Sequence, residues 1–84
     1  MDRLEAVSLL QKYLKNQNLL KHCYACESIM EDLAHQFGGN STIWGFVGLL
    51  HDIDYEITKD RPECHGLEGA RILSENGFSE EIIS

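Results

Sequence analysis

Basic residues are scarce in this chain. Seven Lys and Arg stand against fourteen Asp and Glu, a formal net charge of -7 with histidine neutral. That balance argues against non-specific nucleic-acid binding and against an anionic membrane surface, both of which need a basic face. A phosphorylated small molecule stays open as substrate, because a bound metal can supply the missing positive charge. Long apolar runs are also missing. The longest, around Gly45 to Leu50, is far short of a membrane span. The N-terminus carries Asp2 and Glu5 and lacks a signal-peptide core, so a cytoplasmic location is expected. The cysteines, Cys23, Cys26 and Cys64, are odd in number; that makes a poor disulfide framework and fits a reducing compartment. Proline occurs once, threonine and valine are few, and no stretch alternates strictly between apolar and polar. A sheet is therefore not expected.

What remains is helical pattern. The 84 residues suffice for one small domain, whose stability is marginal without a metal, a partner or a longer parent chain. Asp2 is a good N-cap for a first helix with Leu4, Val7, Leu10 and Leu14 on one face, broken at Asn16-Gln17-Asn18. A second helix is predicted from about Leu19 to Phe37, its apolar face carrying Ala25, Cys26, Ile29, Leu33 and Phe37. Gly38-Gly39 suits its left-handed end. Ser41 or Thr42 would cap a third helix from Ile43 to about His51, apolar on almost every side and so central, with Gly45 and Gly48 allowing close approach of neighbours. An acidic loop, Asp52 to Pro62, precedes a fourth helix from about Glu63 to Asn76. Ser79, Glu80 and Glu81 then form a helix start, with Phe78 placed to staple onto Ile83. A helix start so near Ser84 predicts that the natural polypeptide continues.

Of four histidines, His35 shares a face with Glu31 and Asp32 and is read as solvent-facing. His51-Asp52 ends the most apolar helix, where a polar pair is costly unless satisfied. A divalent metal would satisfy both, provided that it lies over the helix end, since adjacent helical residues point about 100° apart. Taken alone, the dipeptide fits a plain helix C-terminus with a dipole-favoured histidine better. His22 is a second candidate ligand, read as facing the core from the second helix; a hydrogen-bonded structural histidine is its alternative. His65-Gly66 opens the fourth helix, where free backbone N–H groups make an anion site, and Lys59 and Arg61 stand just upstream as phosphate contacts or ordinary loop charges. Cys23 and Cys26 have knuckle spacing, but with only Cys64-His65 as a second pair they read better as packing residues.

The stretches Leu20-Lys21-His22 and Gly48-Leu49-Leu50-His51-Asp52-Ile53-Asp54 resemble the HD-domain superfamily of metal-dependent phosphohydrolases, and His65 to Leu73 resembles the segment that follows in many relatives. The resemblance runs from Leu19 onward and covers the front of the family's domain. It implies an all-α, HD-domain-like bundle of about five helices, apparently truncated: residues 1–84 would be a single HD-type domain forming the N-terminal portion of a longer one. It further implies metal ligation by His22, His51 and Asp52, a catalytic role for Asp52 and His65, and a final aspartate ligand beyond Ser84. His65 would contact phosphate, with Lys59 and Arg61, or bind a second metal. Asp54, Tyr55 and Glu56 extend the motif, an acidic residue there positioning water, holding a supporting hydrogen bond or taking no part in catalysis. The expected function is hydrolysis of a nucleotide or other phosphate ester by metal-activated water, the ion being Mn, Fe, Zn, Ni, Co or Mg. The expected partners are a small phosphorylated substrate and, for so small a helical chain, a further copy of itself. The competing expectations are a non-catalytic metal- or ligand-binding module, and a zinc-stabilised interaction domain using Cys23, Cys26, Cys64 and His65.

Overall fold

Asp2 accepts the backbone N–H of Glu5 at 2.8 Å and so opens α1, Arg3–Tyr13. A computed structural model describes residues 2–83. It continues with α2 (Gln17–Phe37), α3 (Ser41–Leu50), a 3-10 turn (Pro62–Cys64), α4 (Leu67–Glu75) and a short α5 (Glu80–Ile83). Among the described residues there is no strand, and the all-α expectation holds. No helix among them is long and apolar enough to cross a membrane.

Helix boundaries follow local capping, with small corrections. Asn16 opens α2 by accepting from Asn18 and Leu19, so this helix begins two residues before its first leucine. Asn40, not Ser41 or Thr42, caps α3, accepting from Ile43 N at 3.1 Å. Gly38 ends α2 in the left-handed region. The fourth helix starts at Leu67, later than periodicity suggests, because Pro62 to Cys64 forms a separate turn. The side chain of Glu81 lies outside the described residues.

Leu10, Leu14, Leu20, Cys23, Leu49, Leu50, Ile53 and Ile72 form the centre of the core. On α2 the buried face is Leu20, Cys23, Glu27 and Ala34. The expected apolar face was misplaced: Ala25 is exposed, and Ile29 and Phe37 are 58% and 75% exposed. Arg3 makes a bidentate pair with Glu27, at 2.8 and 2.9 Å, and this lets a glutamate turn inward. Leu4, predicted on the inner face of α1, is 77% exposed.

Helices α2 and α3 form the tightest pair in the fold. Gly48 allows it: a Cβ there would lie 2.6 Å from the backbone oxygen of Cys26. At the other end Phe78 is buried edge-on against Phe46, ring centres 6.1 Å apart, and Ile82 and Ile83 pack half-buried against the core.

Candidate metal centre

The close crossing at Gly48 and Cys26 sets the end of α3 beside the first turns of α2. Beyond Leu50 the chain leaves the α-helix in tight turns: Ile53 N bonds Leu50 O and Tyr55 N bonds Asp52 O, at 3.1 and 2.9 Å. This tightening lets adjacent residues converge. His51 Nε2 lies 3.0 Å from Asp52 Oδ2. His22 Nε2, from α2, lies 3.8 Å from the same oxygen. His65 Nε2 lies 3.4 Å from Asp52 Oδ1. One carboxylate thus faces three imidazoles drawn from three parts of the chain. His22 and His51 rings stand 5.7 Å apart.

Behind them is Asp54, fully buried. Its Oδ2 accepts from Gly66 N and Gly69 N at 2.6 and 2.8 Å. Its Oδ1 faces His65 Nδ1 at 2.6 Å and has no other hydrogen-bonding partner among the described residues. Gly66 has no side chain with which to cap α4, so a carboxylate from twelve residues upstream caps it instead. Glycine at position 69 gives Asp54 room, since a Cβ there would come within 3.2 Å of Asp54 Oδ2 and push it back by a few tenths of an ångström.

A profile of the HD domain matches residues 19–84, most of the chain and all of this centre. The chain belongs to the HD-domain family. HD domains are metal-dependent phosphohydrolases that generally bind divalent metals. Similar curated proteins are the ribonuclease Y of Rubrobacter xylanophilus, 31% identical over 67 residues, and that of Chloroflexus aurantiacus, 33% identical over 67 residues. The ribonuclease Y of Cutibacterium acnes is 31% identical over 68 residues. In each case 80% of this chain aligns, to 13%, 13% and 12% of the relative, so the chain spans about an eighth of those proteins. No solved structure gives a significant match.

The donor atoms of this HD domain fit a cation. A backbone carbonyl only accepts, so the 2.7 Å contact from His51 Nδ1 to Gly48 O puts the ring hydrogen on Nδ1. A neutral His51 then presents the lone pair of Nε2 to Asp52 Oδ2, acceptor against acceptor. His65 repeats the pattern, with Nδ1 toward Asp54 and Nε2 toward Asp52. Such facing acceptors repel unless a proton or a metal ion lies between them. Two donors on one ion at about 2.0–2.2 Å stand roughly 3.4 Å apart in tetrahedral geometry. The observed 3.0 and 3.8 Å separations bracket that value. Support by a carbonyl and a carboxylate is what metal-binding histidines use to fix the ring and its tautomer.

The other candidates divide. His22 does not point into the core: its side chain is 54% exposed, at the rim of the centre. Lys59 shares a hollow of about 250 Å³ with Tyr55, Thr58, Pro62 and His65. Arg61 does not line that hollow; it is exposed and its charge acts on Glu68. At the α4 N-terminus Asp54 already takes the N–H groups of Gly66 and Gly69, so those two are not offered to an anion. Glu56 is structural, accepting from Lys15 N and Asn16 N at 2.7 and 3.0 Å where α1 gives way to α2. Cys23 is core, as expected. Burial, then the charges of Asp52 and Cys26, push its thiol up to about 11. A four-ligand cluster of Cys23, Cys26, Cys64 and His65 is not assembled. Among the described residues the cluster of His, Cys and carboxylate donors within 4.8 Å of one another is His22, Cys26 and His51.

Two residues beside the centre are hard to place from the sequence. Asp54 was given three possible roles, and its actual one, orienting His65 and capping α4, needs a contact across twelve residues. Cys26 was set aside as packing, although its four-residue spacing from His22 puts both on one helix face.

Proposed function

We propose that this HD domain hydrolyses a phosphate ester, with His22, His51 and Asp52 as ligands of a divalent metal and His65 as the neighbouring acid–base group. The observation that carries this reading is the Asp52 carboxylate flanked by three imidazole nitrogens at 3.0, 3.4 and 3.8 Å. A bound ion would supply Lewis acidity and an activated water, whose pKa falls toward about 7 in the best cases. The chain's own part is positioning. Gly48 O holds the His51 ring so that Nε2 faces the ion. Asp54 holds the His65 ring with Nε2 toward the centre, placed to take the proton of the attacking water and return it to the leaving oxygen. Asp52 binds the ion and orients the water. Lys59, which lines the same hollow as His65, would meet phosphate oxygens; Arg61 stands outside that hollow.

The substrate class is a nucleotide or another phosphate ester. The ribonuclease Y relatives add RNA as a phosphodiester to test, although the net charge of -7 gives this chain little affinity for a polyanion without its ion. The test is metal content of the purified protein, wild type beside His51→Ala, followed by phosphate release from nucleotides and cleavage of a short RNA. The expected result is near-stoichiometric metal, lost in His51→Ala, with metal-dependent turnover. Metal binding without turnover of any ester would favour the alternative of a non-catalytic binding module. The capture of the Gly66 and Gly69 N–H groups by Asp54 favours that alternative, since it leaves fewer donors for an anion at the start of α4.

A further inference from the structure

Cys26 lies where α2 and α3 cross, and its carbonyl is the atom nearest to Gly48 across that crossing. Its Sγ stands 3.6 Å from His22 Nε2. The donor atoms of His22, Cys26 and His51 all fall within 4.8 Å of one another. We propose that Cys26 is a metal ligand of this centre, its thiolate joining His22 and His51 and selecting a borderline ion such as zinc or cobalt over manganese or magnesium. The proposal rests on the reading of His22 and His51 as ligands and goes beyond it in the donor set.

Spacing of i and i+4 makes two residues neighbours on any helix. It does not bring either to a histidine on a second helix whose ring hydrogen is already committed to Gly48 O. A tetrahedral ion with sulfur at about 2.3 Å and nitrogen at about 2.0–2.1 Å holds those donors roughly 3.5 Å apart, close to the separation seen. Cys26 is half-buried, whereas Cys23 is sealed in the core. Sulfur beside two imidazoles favours zinc, cobalt or iron; manganese and magnesium prefer oxygen. On binding, the S–H bond of Cys26 breaks, its proton leaves to solvent and the sulfur lone pair bonds to the ion. No electron is transferred.

Cobalt(II) titration of the purified protein tests this by absorption. The expected result is a thiolate-to-cobalt charge-transfer band in the near ultraviolet, kept in Cys23→Ser and abolished in Cys26→Ser. Cys26→Ser should still bind cobalt through the histidines and Asp52, with affinity lowered by at least about tenfold, no less than for residues that only support a ligand. One cobalt per chain, lost in His51→Ala but with no thiolate band, would overturn the role of Cys26 and leave the His–Asp centre standing. A band that survives in Cys26→Ser would place the sulfur elsewhere and overturn it too. No cobalt binding at all would overturn both readings. Alkylation of the wild type, read by mass spectrometry, needs no variant: zinc should protect Cys26 and leave Cys64 reactive, and unprotected Cys26 at saturating zinc would overturn the proposal.

Discussion

Asp54 does two jobs with one buried carboxylate. It takes two backbone N–H groups at the start of α4 and holds His65 from behind. Removing it would leave two N–H groups without partners, each costing about 1–3 kcal/mol. Asp54→Ala is therefore expected to lower stability by about 2–4 kcal/mol in urea unfolding, allowing for some rehydration. A change under about 0.5 kcal/mol would mean that water serves these groups equally well. The cysteines should separate by reactivity. Burial holds the Cys23 thiol up at about 11, while Cys64 is half-exposed. Near neutral pH, iodoacetamide should modify Cys64 well before Cys23, as peptide mass mapping would show.

Between elements, two contacts set how α2 lies against its neighbours. Gly48→Ala would drive a methyl to within 2.6 Å of a backbone oxygen, which cannot swing aside as a side chain can. Overpacking of this kind costs about 1–3 kcal/mol. The same substitution should weaken metal binding, because it widens the crossing that brings His51 to His22; calorimetric titration would read this. On the opposite side, Arg3 pairs with a Glu27 that is only 6% exposed. The Glu27 hydrogen bond and charge raise the Arg3 pKa. Arg3→Ala would leave a buried carboxylate unpaired. Because the arginine side chain is 61% exposed, the expected loss is modest, about 1–2 kcal/mol by thermal or urea unfolding. Glu27→Gln should restore part of it in the double variant.

For the molecule as a whole, size is the governing fact. A chain of 84 residues buries too small a share of its surface to be very stable alone. An ion that binds only the folded state adds stability by mass action, about 2.7 kcal/mol at a hundred times Kd. For a domain this small that corresponds to a rise in Tm of roughly 10–20 °C. Circular dichroism melts with added zinc or manganese should show the rise, and a chelator should reverse it. An unchanged Tm at saturating metal would remove the centre from the account of this fold.

Local order was legible in the residues: the cap at Asp2, the left-handed stop at Gly38, an apolar α3 running into His51-Asp52. Caps and periodicity act over a few residues, so a linear reading captures them. The HD pattern was legible for the same reason, since its most specific part is one contiguous run. Tertiary contact decided the rest. That a glutamate can lie on the inner face of α2 depended on Arg3 reaching Glu27, twenty-four residues away. The use of the α4 N-terminus depended on Asp54, whose carboxylate occupies two of the N–H groups that a free helix would offer to phosphate. The place of Cys26 beside His51 depended on the absence of a Cβ at Gly48. Each is a contact between segments, set by what packs where, and a sequence holds it only once the chain has folded.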